Sequence, residues 1–533
     1  MDKRIFSALI TLLVLWVFFV GVYGVDVGRH WDETAFTVPL ITKSIENGRI
    51  LPGYYYYPSV WYHLSLTGLV PDAFAFLKTV DYGDLRESIA HDFKDWLVAA
   101  SESEAFKLRT RGIFIAVSAL SVLWIYFLVL RLRNNHFEAL LAAALTGLSW
   151  EMGYHMRWII PHLVMTQFAV LTMMGVVFAT RHAEQKKKFL WLYFAAGAAG
   201  LTTGTLYNGG VFILPVALAL YFYVKESGWR LTDFLKQAGI LASVFAGAYL
   251  VSTPGTILDP VRFVGNLLYE FKAYALHGVG YTVTSFEHAS LLSQYFVFVV
   301  FSPYFLISLF FAVASLVGVY VLIKEDRKTA YIFLVPLAAF LIFLISLNTM
   351  YVRNFLPVFP FFAMFAAIGV SYFYKKLASH FLFIGLIVFM LVANAVWLFN
   401  AAQSIRERHT ANYADQLLQY INGRPDVEFA VSSAVQKELS VLSGELPPNV
   451  KSESFSPDGL AVFRAFELDP ENDETWNKWT PNRFNYTERW FGPYEVNFNY
   501  YPGWMGADRI VVMPIKSALK LGIFKNILLL QPN

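Results

Sequence analysis

The sequence predicts an α-helical, multi-pass membrane protein with about eleven transmembrane helices and a small C-terminal α/β domain outside the membrane. Of its 533 residues, 56% are hydrophobic and only 15% are charged, a balance far from that of soluble globular proteins. Apolar runs long enough to cross a bilayer recur as far as about residue 400. Beyond that point the hydropathy falls and short helix and strand patterns follow, which indicates a separate soluble domain.

The first predicted span covers residues 5–25, directly behind Lys3 and Arg4. At about 1.5 Å per residue this run can cross a hydrocarbon core about 30 Å thick. A cleaved signal peptide is the alternative, and Gly21–Gly24 is a poor small-x-small cleavage site. Further spans are predicted at 110–130, 137–153, 161–180, 189–206, 208–224, 236–254, 293–322, 329–347, 355–374 and 380–400.

Basic residues at the span ends predict the orientation. Clusters such as Arg131 with Arg133, Lys186–Lys188 and Lys375 with Lys376 all fall on one side of the predicted bundle. Because cytoplasmic loops carry an excess of Lys and Arg, these clusters place the N-terminus in the cytoplasm. Residues 26–108 then form a large outer loop, and an odd number of crossings puts the chain from 401 onward outside. We therefore predict a protein of the plasma or inner cell membrane.

Cysteine is absent from the chain, and the net charge is only +3. The absence of thiols excludes a disulfide framework, a thiolate metal site and a cysteine nucleophile. The small net charge by itself indicates no partner class, and no nucleic acid is predicted as a partner.

Three stretches that share the predicted outer face contain the candidate chemistry. His30–Phe36, with the sequence HWDETAF, places two adjacent carboxylates, Asp32 and Glu33, just beyond the first span. Leu51–Ser59 reads LPGYYYYPS. Tyr351–Pro360 reads YVRNFLPVFP and leads into a late span.

Together these stretches resemble the membrane-embedded C superfamily of glycosyltransferases, GT-C, which includes protein O-mannosyltransferases and aminoarabinose transferases. The shared features are an acidic pair after span one, a glycine followed by aromatic residues and proline in the first outer loop, and an arginine followed by an aromatic residue and two prolines before a late span. The resemblance implies a transmembrane catalytic domain over 1–400 and an extracytoplasmic domain over 401–533. It also implies that a sugar moves from a polyprenyl-phosphate donor to an acceptor at the outer face, with inversion of the anomeric carbon.

The acidic pair is the predicted catalytic site. Asp32 could accept a proton from an acceptor hydroxyl or amine, or hold a divalent cation against the phosphate, and Glu33 could share either duty or orient its neighbour. Because adjacent helical residues point about 100° apart, one carboxylate could face the site and the other a structural partner. The alternative is that an acid at a membrane surface is simply a solvated loop charge.

Four basic residues are candidates for binding the donor phosphate. Arg353 precedes a late span on the outer side, where its guanidinium could fork onto a phosphate or extend to lipid head groups. Arg157 lies in a short outer loop, and Lys272 and His277 lie in a longer one. The resemblance favours Arg353, because the matching arginine of relatives lies at their active site.

Tyr54, Tyr57 and Tyr207 are predicted to line the donor or acceptor groove. Two positions depart from the family pattern. Leu206 stands where several relatives have a lysine, and His162 stands on or near the position of an aspartate that helps relatives to bind metal. A divalent ion of unknown identity is predicted, with Asp32 and His162 as candidate ligands. Mg²⁺ prefers oxygen, so the histidine argues against a strict Mg²⁺ site, and a helix-start histidine without metal is the alternative.

The region beyond residue 400 is predicted to contain helices over Asn412–Ile421 and Ala434–Leu442 and strands over Val427–Ser432 and Arg509–Pro514. An aromatic-rich segment, Trp476–Trp504, could stack on sugar rings, anchor at the membrane interface or pack against the membrane domain.

The predicted partners are the polyprenyl-phosphate sugar, a lipid, glycan or protein acceptor, and membrane lipids. A transporter or flippase is the alternative from another class, but it would need charges buried in the spans, and the predicted spans are nearly free of charge. A non-catalytic scaffold of the same fold is the third interpretation, which the two departures from the family pattern leave open.

Overall fold

The computed structural model describes residues 3–26, 33, 37–49, 51–79, 88–182, 184–273, 284–348, 351–377, 379–407, 413–432, 435–436, 439, 445–451, 458–464, 489–491, 510–514 and 516. The chain divides into two compact units. The larger contains most of residues 1–399, and the smaller contains most of residues 400–533.

The described part of the larger unit contains helices and connecting segments but no strand. Its helices are α1 (Lys3–Tyr23), α2 (Val38–Glu46), α3 (Val60–Leu66), α4 (Val70–Thr79), α5 (Ser88–Glu102), α6 (Glu104–Arg133), α7 (His136–Gly147), α8 (Trp150–His155), α9 (Pro161–Arg181), α10 (Gln185–Thr203), α11 (Ile213–Ser227), α12 (Leu231–Ser252), α13 (Gly255–Leu258), α14 (Pro260–Lys272), α15 (Ser285–Phe298), α16 (Phe305–Glu325), α17 (Arg327–Ser346), α18 (Phe359–Lys376) and α19 (His380–Glu407). Three 3-10 helices cover Thr67–Leu69, Tyr207–Phe212 and Val352–Val358.

Nine helices in the described ranges are long and apolar enough to cross a membrane, and the chain is a multi-pass membrane protein. Two of the eleven predicted spans are not among the nine. The predicted span 137–153 is divided between α7, with 12 residues, and the short α8. The predicted span 189–206 corresponds to α10, whose first turn carries three lysines and thereby lowers its hydropathy. The predicted span 293–322 is also interrupted, because α15 ends at Phe298 and α16 begins at Phe305.

Contacts between helix ends in the described ranges indicate that the α7–α8 pair and α10 also run between the two ends of the bundle. At one end, Val60 N–H donates to Gly204 O (3.0 Å) after α10, and Ser59 N–H donates to Thr253 Oγ1 (3.3 Å) after α12. We call this the Glu33 end, after a residue described below.

At the opposite end, Arg131 near the end of α6 donates to Arg181 O (2.9 Å) at the end of α9. We call it the Arg181 end. Since α6 and α9 both finish there, the α7–α8 pair must return the chain between them. By the same reasoning α10 returns it between α9 and α11, since Glu226 near the end of α11 pairs with Lys328 at the Arg181 end.

The tightest helix contact joins α16 and α18. A Cβ atom added at Gly318 would overlap Phe365 O, and one added at Gly369 would overlap Ala314 O. Ala314 and Gly318 are four positions apart and present small side chains on one face of α16, which allows the two backbones to approach closely. This contact fixes α18, which follows the 3-10 helix that contains Arg353.

The smaller unit contains α20 (Tyr413–Asn422) and five strands: β1 (Phe429–Val431), β2 (Val450–Lys451), β3 (Leu460–Arg464), β4 (Arg489–Phe491) and β5 (Ile510–Pro514). The strand order is β2-β1-β3-β5-β4. β1 pairs in parallel with β2 and β3, whereas β5 pairs antiparallel with β3 and β4. Leu417 and Ile421 of α20 pack on the buried strand residues Phe429, Val431 and Val462.

Several predicted elements of this unit are present. The helix predicted at 412–421 corresponds to α20, and the strands predicted at 427–432 and 509–514 correspond to β1 and β5. Most of the helix predicted at 434–442, and all of the aromatic segment 476–504 except β4, lie outside the described residues.

Candidate active site

A buried ion pair between Glu33 and Arg111 forms the centre of the candidate site. Arg111 Nη2 lies 2.5 Å and Arg111 Nε 3.2 Å from the Glu33 carboxylate, and both side chains are fully buried. Ile159 N–H donates to Glu33 Oε1 at 2.7 Å. The guanidinium also donates to Val25 O (3.3 Å) and lies 5.0 Å from the ring centroid of Trp158. A charge pair out of water is stable only with such complete hydrogen bonding.

These contacts assign the two Glu33 oxygens to α6 and to the segment before α9. Glu33 is therefore well suited to hold the loop after α1 against the bundle, and poorly suited to receive a proton from an acceptor. Asp32, the preceding residue and the predicted catalytic carboxylate, lies outside the described residues, and so does its predicted role as a metal ligand.

Arg157, a predicted phosphate ligand, lies near this pair. Its side chain is buried, its Nη2 donates to Val20 O at 3.0 Å, and its Nη1 contacts Gly153 O. Arg157 thus joins the end of α1 to α8 and brings a positive charge to the Glu33 end of the bundle. Its position beside the end of α1 suits an electrostatic role, because a buried guanidinium acts on an anion through a low-dielectric medium.

His162 contacts Asn354, the residue that follows Arg353 in sequence. His162 Nε2 lies 2.9 Å from Asn354 Oδ1, which links the first turn of α9 to the 3-10 helix Val352–Val358. The Arg353 guanidinium lies 4.7 Å from the ring centroid of Tyr351. The His162–Asn354 contact therefore brings the segment that contains Arg353 to the first turn of α9, although the two residues in contact are 192 positions apart in sequence.

The described part of the chain contains no group of three His, Asp or Glu residues that could hold a metal ion. Of the two predicted ligands, only His162 is described, and its Nε2 is engaged with Asn354. The metal site at Asp32 and His162 stays a prediction, and we derive no catalytic step through a metal.

The tyrosine stretch docks on α14 and on the 3-10 helix Tyr207–Phe212. Tyr207 Oη donates to Tyr55 O at 2.7 Å, and Tyr55 N–H donates to Asn266 Oδ1 at 2.9 Å. The Tyr54 ring packs edge-on against Tyr56 with centroids 4.0 Å apart. Burial raises the pKa of Tyr55 to about 12, with a further contribution from the negative charge of Asp259, and burial also raises the pKa of Tyr54.

Tyr57 lies on the other side of this stretch. It packs against a buried cluster that includes Trp61, Phe106 and Ile159, the residue whose N–H binds Glu33. The tyrosine stretch thus contacts α14 on one side and, through Tyr57, the cluster next to Glu33 on the other. Lys272 is exposed at the last position of α14, and His277 lies outside the described residues.

Three buried charged residues were not predicted from the sequence. Arg111 lies in the first turns of α6, Glu138 pairs with Arg133 at 2.9 Å at the Arg181 end, and Glu151 lies 3.3 Å from His155. The prediction of nearly charge-free spans was therefore wrong in these places. The signal was available, because an ionisable residue inside an apolar run is rare and usually has a buried partner.

No protein-family model and no curated protein matches the chain in sequence. In structure, the chain is similar to ArnT from Cupriavidus metallidurans bound to undecaprenyl phosphate, with 13% identity, a TM-score of 0.49, and coverage of 96% of this chain and 98% of ArnT. The apo state of that ArnT gives the same TM-score and identity.

The oligosaccharyltransferase of Archaeoglobus fulgidus, in complex with Zn and sulfate, is also similar. The match has 12% identity and a TM-score of 0.48, and it covers 89% of this chain and 69% of that one. ArnT and the oligosaccharyltransferase belong to the GT-C superfamily, which the sequence stretches resemble. The similarity concerns the fold.

Proposed function

We propose that this chain is a membrane glycosyltransferase that moves a sugar from a polyprenyl-phosphate donor to an acceptor at the extracytoplasmic face. The observation that carries the proposal is the buried Glu33–Arg111 pair, because Glu33 adjoins Asp32 in sequence and also accepts a hydrogen bond from Ile159 N–H, two positions after Arg157. A buried pair that costs desolvation has a reason to exist where it positions a neighbouring functional group. The resemblance of the sequence stretches to GT-C enzymes supplies the reaction class.

In the proposed reaction Asp32 is the general base. Its carboxylate takes the proton from the acceptor hydroxyl or amine while the acceptor atom bonds to the anomeric carbon of the sugar. The bond from that carbon to the phosphate oxygen breaks on the opposite face, so that the configuration inverts. The polyprenyl phosphate leaves with the electron pair of that bond.

The leaving phosphate gains negative charge, and cationic side chains oppose that charge. We assign this role to Arg353, with Arg157 as a second, buried positive charge. The Tyr351 ring against the Arg353 guanidinium restricts its movement, which favours a defined approach to the phosphate. Lys272 and His277 remain weaker candidates, because Lys272 is exposed and His277 is not described.

Glu33 is proposed to orient Asp32. Tyr54, Tyr57 and Tyr207 are proposed to line the groove for donor or acceptor, because their stretch joins α14 to the residues around Glu33. The unit after residue 400 is proposed to act on the acceptor, which could be a lipid, a glycan or a protein. Residues 1–400 would then form the catalytic domain and 401–533 the extracytoplasmic domain.

Substitution of Asp32 by Asn tests the proposal. Transfer from a panel of undecaprenyl-phosphate and dolichyl-phosphate sugars should fall by about 10²–10⁴, the usual contribution of a general base. Binding of undecaprenyl phosphate should stay unchanged, since the base acts on the acceptor. Arg353→Lys should instead weaken this binding, because an ammonium cannot reproduce a two-pronged contact.

Tyr304→Phe is the control for the general effects of a substitution, because Tyr304 is exposed and is not a residue of the candidate site. Full transfer by Asp32→Asn would contradict the proposal. If the wild type also moved lipid-linked sugar across a vesicle membrane without releasing polyprenyl phosphate, the transporter interpretation would replace it.

A further inference from the structure

A cavity of about 280 Å³ opens at the Arg181 end of the bundle, away from the candidate active site. It lies between the end of α9, the beginning of α10, the second half of α11 and the beginning of α17. The 21 residues of α9 separate it from His162, which at about 1.5 Å per residue is about 30 Å. The cavity therefore has no part in the chemistry proposed for Asp32.

The walls of the cavity are divided between apolar and charged residues. Apart from Thr329, its buried lining consists of apolar side chains, among them Phe189, Leu192 and Ile332. Its exposed lining consists of polar and charged side chains, among them Arg181 and Lys328. A cavity with an apolar floor and a charged mouth fits an amphipathic molecule, which has an apolar part and a charged part.

The charges at the mouth are not balanced. Arg181 pairs with Asp326 at 2.7 Å, and Lys328 pairs with Glu226. Lys188 also lines the cavity, and no described carboxylate lies within ion-pair distance of its ammonium group. That group lies 5.2 Å from the Tyr223 ring centroid instead. The lining residues thus carry three cations against two carboxylates, and Lys188 is the lining cation whose charge no described carboxylate balances.

We propose that this cavity binds the phosphate head group and the first methylenes of an anionic phospholipid. The four helices around it belong to the membrane bundle, so that their ends lie where lipid head groups are found. Basic pockets between transmembrane helices at the cytoplasmic surface are suited to such head groups. A bound phosphate would contact Lys188 of α10 beside cations of α9 and α17, and would tie these helices together.

The test measures thermal unfolding of the full-length protein in detergent during titration with dioleoyl phosphatidylglycerol. Binding to the folded state alone raises the unfolding temperature with ligand concentration. Lys188→Gln should raise the apparent Kd about fivefold, the effect of losing one lysine near a lipid surface. Lys187→Gln is the control, because Lys187 pairs with Glu184 and does not line the cavity.

Two further titrations separate the sources of the phosphate. Dioleoyl phosphatidylcholine, which is neutral overall, should stabilise less, and glycerol phosphate, which lacks the acyl chains, should have no effect at the same concentration. Equal stabilisation by glycerol phosphate would overturn the lipid assignment. Equal Kd values in Lys188→Gln and Lys187→Gln, or no stabilisation of the wild type, would overturn the site itself.

Discussion

Glu33 and Arg111 are the residues on which the geometry of the candidate site depends most. Removal of one member leaves the other as an uncompensated buried charge, at a cost of about 3–5 kcal/mol. We expect Glu33→Gln and Arg111→Met each to lower the unfolding temperature strongly in detergent. The double variant should lose much less than the sum of the two, because neither charge then remains alone.

A pair with one exposed member on α6, the helix that contains Arg111, gives the scale for comparison. Lys107 and Glu104 of α6 lie 2.6 Å apart, and Glu104 is 57% exposed. Glu104→Gln should change stability by less than about 1 kcal/mol, since exposed ion pairs contribute little. If Glu33→Gln were as mild as Glu104→Gln, Glu33 could not be what holds the loop, and the orienting role would have to be given up.

The contribution of Asp326 to the stability of the fold depends on pH, and the contacts of its carboxyl group determine the direction of that dependence. Burial raises the pKa of its carboxyl, but hydrogen bonds from Thr329 N–H (3.1 Å) and Oγ1 (2.8 Å), together with the Arg181 guanidinium, outweigh burial and leave that pKa below its ordinary value. The resulting stabilisation is complete above about pH 4, the ordinary pKa of aspartate, and is lost as the pH falls through the lower folded pKa.

Asp326→Asn tests this sign. Asparagine still caps α17 but cannot pair with Arg181, which is 39% exposed. The variant should be less stable than the wild type by up to about 1 kcal/mol at pH 7, and the difference should shrink when unfolding is measured near pH 3. A difference that does not change with pH would show that the charge of Asp326 is unimportant.

Among the helices, the α16–α18 contact is the most sensitive to a single methyl group. Gly318→Ala or Gly369→Ala would place a Cβ against a backbone carbonyl that cannot move without its helix. Overpacking of this kind costs about 1–3 kcal/mol. Gly239→Ala in α12 is the matched control, because an added Cβ there meets nothing within 4 Å, and alanine favours helix by up to about 1 kcal/mol.

The unfolding temperature in detergent measures the effect of both substitutions on stability. Gly318→Ala should lower the unfolding temperature, and Gly239→Ala should leave it unchanged or raise it. Because α18 follows the 3-10 helix with Arg353, the Gly318→Ala variant of α16 should also weaken binding of undecaprenyl phosphate. Stable Gly318→Ala protein with full binding would mean that the two helices separate without cost.

Helix positions could be predicted from the sequence to within several residues because a membrane span is specified by local composition. The interruptions that divide a predicted span into two helices were harder to predict. Between α15 and α16 the sequence Val299–Tyr304 stays largely apolar, so hydropathy gives no break, although Pro303 disfavours helix at the residue before it. Ser149 and Trp150, at the start of α8, donate to Val300 O and Val299 O. At the break, backbone carbonyl groups therefore accept hydrogen bonds from another part of the chain, which local sequence patterns do not reveal.

At the scale of the whole molecule, the contacts of the candidate site were also hard to predict, because they join residues far apart in sequence. The sequence predicted an acidic pair, and it predicted that Arg157, His162 and Arg353 lie on one face. It did not predict Arg111 as the partner of Glu33, which lies 78 positions away, or Asn354 as the partner of His162, 192 positions away. Pairs at such separations depend on the packing order of the helices. That order follows from side-chain fit and cannot be inferred from the hydropathy of each span.

The two ends of the bundle also differ in charge, and this difference predicts how the protein lies in the membrane. Arg131, Arg133, Arg181 and Lys328 gather at the Arg181 end, which the excess of basic residues assigns to the cytoplasm. The Glu33 end should then face outward. The chain contains no cysteine, so single cysteines can report the exposure of each end to a reagent that does not cross membranes.

Ser290 of α15 is exposed, and the same helix lies at the Glu33 end, because His288 Nδ1 is 3.0 Å from Leu347 O just after α17. Cysteine at Ser290 should therefore react in intact cells, and so should cysteine at the exposed Asn422, because the sequence predicts that the chain after residue 400 lies outside. Cysteine at Gln185 or Ser227, exposed near the Arg181 end, should react only after the membrane is opened. The reverse pattern would put Glu33 and Arg353 in the cytoplasm. A lipid-linked donor at the outer face could then not reach them, and the proposed reaction would fail together with the orientation.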